Sequence, residues 1–295
     1  MKTTSLILKK LLIITAFLGC TLTSLFPQEV ATTDTTEKKL FLIIKNDGTE
    51  YVGYIIKQDE REVLIETSAI GRLYIPKHEI KSIREINESD YKRGQYLGND
   101  IFSTRYFYST NSLSMNKGNY YAMFNLYGPE IHYAVSDKFS IGGLTSWLGV
   151  PIVGSLKYAI PAGKNLSFGL GSLIGWTTWA EPSGFGILPY GTMTLGNYNE
   201  NFNISAGYIY VTAEAEKLLS GPAFSIAGIK RIGKKVAFVG DSFIYIKEEF
   251  IAVIIPGLRF SSSPNNAFQI GFAGIITEEE VLPFPMPFIG WFRIF

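Results

Sequence analysis

The stretch that decides the fold is Phe202-Asn-Ile-Ser-Ala-Gly-Tyr208, in which large apolar residues alternate with small or polar ones. The same alternation recurs in Leu166-Ser-Phe-Gly-Leu-Gly171 and in Phe268-Gln-Ile-Gly-Phe-Ala-Gly274. Successive side chains of a β-strand point to opposite faces, so each stretch predicts a strand with one apolar face and one small, polar face. A soluble sheet would carry charges on its outer face, but these strands carry few. The pattern is typical of a closed membrane barrel, apolar toward lipid and polar toward the lumen.

Charged residues divide the chain into two parts. Between Glu37 and Arg93, 22 of 57 residues are charged, against 26 of 202 from Gly94 to the end. The first density is typical of a soluble domain, whereas the second is too low for a water-exposed surface of that length. Over the whole chain, 27 basic and 26 acidic residues leave a net charge of +1. This balance excludes the strongly basic surface of a nucleic-acid-binding protein.

Turns of two kinds separate the strands of the second part. Short turns are predicted at residues 136–138, 162–165, 197–201, 233–235 and 262–266, and mostly longer ones at 113–118, 180–184, 213–221, 247–249 and 277–285. Counting the strands between these turns, with a further break at 148–151, predicts about twelve, the first at residues 103–112. A ten-stranded barrel is the alternative. An even number of strands, with the short turns and both chain ends in the periplasm, is typical of bacterial barrels.

The charged part of the chain predicts a small five-stranded barrel within residues 38–88. Its strands are expected at residues 40–45, 49–57, 63–67, 72–75 and 80–86. The turn Asn46-Asp47-Gly48 joins the first two, because these residue types tolerate the positive φ angles of tight hairpins. The fold class is therefore all-β: this small barrel, a linker at 89–102 and an antiparallel transmembrane β-barrel at 103–295.

The N-terminal residues 1–27 are expected to be an export signal peptide. Lys2, Lys9 and Lys10 precede a short apolar run, which falls short of the roughly 20 residues that cross a bilayer as a helix. Cys20, the only cysteine, follows Phe17-Leu18-Gly19, which resembles the site at which bacterial lipoproteins are acylated. Either Cys20 carries lipid or it leaves with the signal peptide. In the second case the mature chain has no thiol for disulfides, catalysis or metal binding.

Two further resemblances concern the ends of the mature chain. Gly290-Trp-Phe-Arg-Ile-Phe295 resembles the C-terminal assembly signal of outer-membrane proteins, although Arg293 stands where a hydrophobic residue is usual. Residues 39–86 resemble the SH3-like or Sm-like barrels found at the periplasmic start of envelope proteins. The whole order is similar to Bacteroidota-type outer-membrane β-barrel proteins with a small N-terminal periplasmic domain.

That family resemblance implies a location and partners. The barrel would lie in the outer membrane of a Gram-negative bacterium, with residues 38–88 in the periplasm and available to an unidentified partner there. Outer-membrane lipid and the barrel-assembly machinery would be the other partners, with Gly290 and Phe295 forming the assembly signal. The resemblance implies no shared chemistry.

Candidate functional side chains are few. The chain has two histidines, of which His78 lies in a predicted turn of the small domain. Glu130 and His132 are two residues apart and so share a strand face, where they form either a lumen charge pair or, alternatively, part of a general base. Strand parity predicts an inward-facing charge network, which should pair or remain hydrated because isolated buried charges are costly. Its members are Glu130, His132, Lys157, Asp241 and Arg259.

Other chemistry finds little support in the sequence. No glycine-rich phosphate motif is present, and Glu278-Glu279-Glu280 is either a hydrated acidic loop or a weak divalent-cation site. We therefore predict no catalytic residue, no cofactor and no metal. Three functions remain: a non-enzymatic outer-membrane barrel with a structural or narrow-pore role, an occluded barrel that anchors a periplasmic interaction module, or an outer-membrane hydrolase. The sequence favours the first and leaves open which substance, if any, is bound or transported.

Overall fold

The chain forms a closed twelve-stranded antiparallel barrel and a separate five-stranded antiparallel sheet. The computed structural model describes residues 39–86, 88, 91–92, 95–96, 101–214, 216–233, 235–247, 250–263, 265–278 and 281–294. The predicted signal peptide, Cys20 and Phe295 lie outside these residues. No helix in the described part of the chain is long and apolar enough to cross a membrane.

The small sheet has the order β4-β3-β2-β1-β5. Its strands are β1 (Leu40–Lys45), β2 (Glu50–Gln58), β3 (Glu62–Thr67), β4 (Gly71–Pro76) and β5 (Ile80–Ile86). Ile43, Val63 and Ile65 are fully buried in its core, as expected from period-two alternation of apolar residues. Its similarity to an SH3-like barrel stays a prediction. Within the predicted linker, a short hairpin of β6 (Tyr91–Lys92) and β7 (Gln95–Tyr96) packs its tyrosines against the other face of β1.

The large barrel closes between its first and last strands. Its strands are β8 (Tyr120–Asn125), β9 (Gly128–Ala134), β10 (Phe139–Thr145), β11 (Ile152–Pro161), β12 (Leu166–Trp176), β13 (Gly184–Gly196), β14 (Glu200–Ala213), β15 (Glu216–Arg231), β16 (Val236–Ile246), β17 (Phe250–Ser263), β18 (Asn266–Thr277) and β19 (Val281–Arg293). We call the end where β8 begins and β19 ends the terminal end, and the opposite end the loop end. The five predicted short turns all lie at the terminal end.

The prediction of a first strand at residues 103–112 is wrong. This segment forms a short 3₁₀ turn, Ile101–Thr104, followed by bends. Its consecutive Tyr106-Phe107-Tyr108 breaks the alternation that a barrel strand requires, and its backbone bonds to side chains inside the barrel instead of to a neighbouring strand. The barrel nevertheless has the predicted twelve strands, because a turn at residues 126–127 divides one predicted strand into β8 and β9.

The predicted long turn at residues 113–118 is also misplaced, because it lies at the terminal end. The amide of Gly118 donates to the Ala134 carbonyl at 2.9 Å, and the amide of Lys117 donates to Asp137 at 2.7 Å. Both partners adjoin the short turn between β9 and β10. The chain therefore enters β8 from the same end at which it leaves β19.

The outer face of the barrel is apolar. Phe168, Ile204 and Phe272 are 41%, 41% and 49% exposed, although a soluble protein would bury such side chains. The register places them among other exposed, outward-facing apolar residues: Leu156, Tyr158, Leu170, Phe224, Phe260, Phe268 and Trp291. In the stretches that predict the barrel, small and polar residues such as Asn203, Ser205 and Gln269 occupy the inward positions, as the sequence predicts.

Candidate functional site

A segment inside the barrel, residues 101–115, dominates the candidate site, and we call it the plug. It enters at the terminal end, where Phe102 packs against Phe292 with ring centroids 5.2 Å apart. It turns back at Phe107 and Tyr108, and a bridge between Arg105 and Thr110 pairs its two arms. Phe102 to Phe107 are all nearly or fully buried, as are Asn111 and Ser112. The plug is therefore a hairpin-like arm that fills the terminal half of the lumen.

Asp241, on β16, holds the tip of the plug. Its carboxylate accepts backbone N–H groups from Phe107 at 3.0 Å, Tyr108 at 2.6 Å and Ser109 at 2.8 Å. The Ser109 hydroxyl donates a fourth bond at 2.6 Å. Hydrogen bonds to a charged acceptor are stronger than neutral ones, and this carboxylate is only 3% exposed. One side chain thus replaces the neighbouring strand that these amides would otherwise need.

Arg259, on β17, binds the first arm of the plug, residues 102–106, by donating to backbone carbonyl groups of that arm. Its guanidinium donates to the carbonyls of Phe102 and Arg105, each at 2.6 Å. Gln269 on the adjacent strand accepts two further bonds, at 3.2 and 2.8 Å. The guanidinium also stacks over the Phe292 ring, 4.6 Å from its centroid. A fully buried arginine is tolerated here because its guanidinium donates hydrogen bonds to these acceptors and stacks on an aromatic ring.

Lys157, on β11, binds the returning arm. Its ammonium donates to the carbonyls of Asn111 at 3.1 Å and Leu113 at 3.0 Å. Ser112 extends this contact, because its hydroxyl bonds to the Ser167 hydroxyl at 2.6 Å. The Lys157 ammonium and the Ser167 hydroxyl of the barrel wall therefore hold the returning arm through two carbonyls and the Ser112 hydroxyl.

Glu130 and His132 form the fourth contact. Glu130 pairs with Arg105 of the plug, with an N–O distance of 2.9 Å, and also hydrogen-bonds to the His132 ring. His132 in turn packs against the ring of Tyr121, with centroids 5.1 Å apart. A cavity of about 20 Å³ between these residues and Lys157 has room for about one water molecule.

Two glycines make room for the plug. A Cβ at Gly257 or at Gly271 would lie 2.6 Å from the Phe107 ring, closer than any non-bonded carbon contact. Both glycines face inward, on β17 and β18, at the level of the plug tip. Inward glycines on neighbouring strands are therefore a sequence signal of close approach, although the sequence does not show what approaches.

All five predicted lumen residues lie inside the barrel, and four of them contact the plug directly. His132 is linked to the plug through Glu130, which pairs with Arg105, and through the Tyr121 ring, which packs against Phe102. They do not form one continuous charge network, because each side chain binds a different part of the plug. Sequence reasoning missed Arg105, Ser109, Ser112 and Gln269. Gly290 faces inward beside Gln269 and pairs with Asn125 of β8, while Phe295 lies outside the described residues. No cluster of three or more metal-ligating side chains occurs in the described part of the chain.

Comparisons with known proteins return distant structural likenesses alone. No family model matches the chain, and no curated protein sequence matches it. A NanC porin structure has a TM-score of 0.42 at 10% identity and covers 60% of this chain and 98% of its own. The outer-membrane expressed OmpT of Vibrio cholerae has a TM-score of 0.37 at 9% identity, with 90% and 99% covered. Its loop L8 deletion mutant has a TM-score of 0.37 at 9% identity, with 87% and 96% covered. At these values the likenesses assign no family.

Proposed function

We propose that this protein is a non-enzymatic outer-membrane β-barrel, closed by its plug, that anchors the small β-sheet domain at the periplasmic surface. The plug carries the proposal. A pore needs a continuous aqueous path, but residues 101–115 occupy the terminal half of the lumen and bond to the wall on β9, β11, β16 and β17. An occluded anchor therefore fits the geometry better than a narrow pore.

The membrane location rests on the apolar outer face. Placed in water, the exposed ring of aromatic and aliphatic side chains would far exceed the few hundred Å² of contiguous apolar surface that soluble proteins tolerate. In a bilayer the same ring meets lipid, and the closed ladder satisfies the backbone polar groups. Outer-membrane lipid and the barrel-assembly machinery are the partners that this location requires.

The small sheet supplies the interaction surface in this proposal. Ile70 and Tyr74 are 64% and 58% exposed on an otherwise charged domain. Exposed apolar groups framed by charges are typical of surfaces that contact another protein. Since the terminal end carries the short turns, we assign it to the periplasm, together with the small sheet that precedes the plug in the chain.

Planar-bilayer recording tests the closed barrel. The purified full chain should show little or no steady conductance, whereas deletion of residues 101–115 should give stepwise ion currents in the same lipid. Steady, nanosiemens-scale openings of the intact chain would overturn the anchor in favour of a pore.

Photocrosslinking in cells tests the interaction surface. A benzophenone amino acid in place of Tyr74 should capture a periplasmic protein, while the same residue in place of the outward-facing Leu170 should contact lipid. Absence of any adduct specific to Tyr74 would remove the interaction role and leave the barrel without a partner on this face.

A further inference from the structure

The loop half of the lumen differs from the terminal half. Leu173 and Leu188 face inward opposite each other on β12 and β13, and the neighbouring inward position on β14 is Ile209. All three are only half-buried. Six more inward positions of this half are apolar and partly exposed, namely Leu144, Val153, Val211, Phe243, Val253 and Ile275, while Ser225, Tyr245 and Thr277 are polar inward positions among them. Half-exposed apolar side chains that face a lumen are costly to hydrate and are typical of a surface that contacts an apolar ligand.

The plug forms the floor of this apolar space. At its tip, Tyr108 lies 4.9 Å from Phe288 of β19 between ring centroids, and Phe107 lies 5.3 Å from the same ring. Tyr127, in the turn between β8 and β9, contacts Phe288 from the other side at 5.6 Å. On β10 and β12, Leu144 and Leu173 also line the small cavity beside Glu130 and Lys157. The apolar contacts of the loop half are therefore concentrated on β13, β14, β16, β17 and β18.

The barrel wall is shorter at β8, β9 and β10 than at the other strands beside the loop half of the lumen. The strands β8, β9 and β10 have 6, 7 and 7 residues, whereas β13 to β19 have 11 to 16. At a tilt of about 45°, six residues cover roughly 14 Å of the membrane normal, against an apolar band of about 25 Å. The strands β8 and β9 therefore do not cover the part of the apolar band that lies nearest the loop end.

Between Gly290 and the loop end, no strand among the described residues pairs with the edge of β19 that faces β8. Among the described residues, β19 pairs with β8 over residues 290–293, and one more bond joins the Leu126 amide to the Ile289 carbonyl at 3.1 Å. By alternation, the nitrogen of Pro287 points to the same edge and carries no hydrogen. Prolines are favoured at such an edge because each removes an N–H that lipid could not satisfy. We call this opening, between β19 and the β8–β9 hairpin, the side gap.

The turns around the side gap are apolar. Leu126 is 52% exposed, and in the adjacent loop Trp147 and Leu148 are 61% and 76% exposed. The Trp147 indole donates to the Leu126 carbonyl at 3.0 Å, which fixes the loop over the hairpin. A turn in water would carry polar residues instead, so these side chains indicate contact with lipid at the level of the side gap.

We propose that the loop half of the lumen binds one acyl chain of a bilayer lipid, which enters through the side gap. The inference rests on the membrane location in the proposed function, but not on the anchor role. The headgroup stays outside the wall, and the chain lies across Leu173, Leu188 and Ile209 above the aromatic layer. The occupant is a lipid chain because the side gap opens toward lipid and the space behind it is apolar.

Two glycines of β13 provide a matched pair of variants. Gly186 faces inward, and a Cβ there meets Val211 at an ordinary 3.5 Å, so Gly186→Phe adds a ring to the apolar space. Gly191 faces outward, and a Cβ there lies 3.8 Å from Leu170, so Gly191→Phe adds the same ring to the lipid face. Leu188→Gln is a further inward variant, which keeps the volume and adds a polar amide.

The test is photolabelling in vesicles of phosphatidylcholine that carries a diazirine in the middle of one acyl chain. After irradiation, tandem mass spectrometry should find adducts on the outward Leu170 and on the inward Leu173 or Ile209. Gly186→Phe and Leu188→Gln should each lower the inward-to-outward adduct ratio at least fivefold, and Gly191→Phe should leave it unchanged.

Several outcomes would overturn the inference. Adducts confined to outward residues would remove the lumen site and leave the membrane location intact, whereas absence of adducts at Leu170 as well would remove both. If Gly186→Phe fails to fold, the adduct ratio of Leu188→Gln is the test, and an unchanged ratio would overturn the inference. An inward adduct obtained with a free diazirine fatty acid, but not with the phospholipid, would exclude entry of a lipid chain through the side gap.

Discussion

Asp241 is the position at which removal of one side chain should release the plug. In Asp241→Ala, the amides of Phe107, Tyr108 and Ser109 lose their common acceptor, together with the Ser109 hydroxyl. A hydrogen bond to a charged group contributes about 1.5–3 kcal/mol, and a buried donor left without an acceptor costs about 1–3 kcal/mol. The four bonds share two oxygens and are not additive, so we expect a loss of about 3–5 kcal/mol.

That loss should appear in two measurements. A change of about 4 kcal/mol raises the ratio of displaced to docked plug roughly a thousandfold, so Asp241→Ala should show transient openings in planar-bilayer recordings. Its free energy of unfolding in urea should fall by the same amount if the unfolded reference is unchanged. Asp241→Asn keeps one carbonyl oxygen as an acceptor and should lose about half as much.

An exposed aspartate provides the control. Asp137 also accepts one backbone amide, from Lys117 at 2.7 Å, but in contact with solvent. Asp137→Ala should change the unfolding free energy by less than about 1 kcal/mol, because water replaces the lost acceptor. If Asp241→Ala matched wild type in both conductance and unfolding, Asp241 would not hold the plug and the assignment of the closed lumen would fail.

Three further predictions concern the wall and the orientation. Gly271→Ala should lower the unfolding free energy by about 1–3 kcal/mol, because its methyl group overlaps the Phe107 ring; the outward Gly274→Ala is the control, and Phe107→Leu should rescue the loss. Phe272→Arg should cost about 2–4 kcal/mol of barrel stability in refolding titrations in lipid vesicles, since it places a charge on the lipid face; equal stability would mean that the strand parity is reversed. A protease added to intact cells should cut loop-end turns and spare the small sheet, and cleavage within that sheet would reverse the orientation.

Alternation along the chain made the barrel predictable. In stretches such as Phe202 to Tyr208, every second residue faces lipid. A few neighbouring residues are therefore enough to show which side chains point outward and which point into the lumen. The same parity placed Asp241 and Arg259 inward. Their partners could not be found in this way, because they are backbone groups of a segment more than 130 residues earlier in the chain. Sequence separation of that size leaves no local pattern.

The sequence predicts a strand at residues 103–112, where the plug lies, because this segment has the length of a strand and is rich in aromatic residues. Its Tyr106-Phe107-Tyr108 run lacks alternation, which is the feature that separates it from the true strands. The inward Gly257 and Gly271 were a second indication, since a lumen filled by water gives no reason for two neighbouring strands to lack side chains at one level. The turn at residues 126–127, which shortens β8 and β9, does have a local signal that sequence reasoning missed: Asn125 and Gly128-Pro129 flank it, and the Asn125 side chain accepts the amides of Tyr127 and Gly128.

The plug precedes the barrel in the chain, and this order constrains how the protein assembles. Residues 101–115 are synthesised before any barrel strand, yet their partners lie 134 and 157 positions later, at Asp241 and Arg259. A ring that closed without the plug would deprive Asp241 of the four donors that the plug supplies and Arg259 of two carbonyl acceptors, which costs several kcal/mol. The barrel closes where β8 pairs with β19. We therefore expect this pairing and the binding of the plug to occur in one cooperative step. Contacts of such long range make that step slow, because the loop between the plug and its partners on β16 and β17 must close before the contacts form.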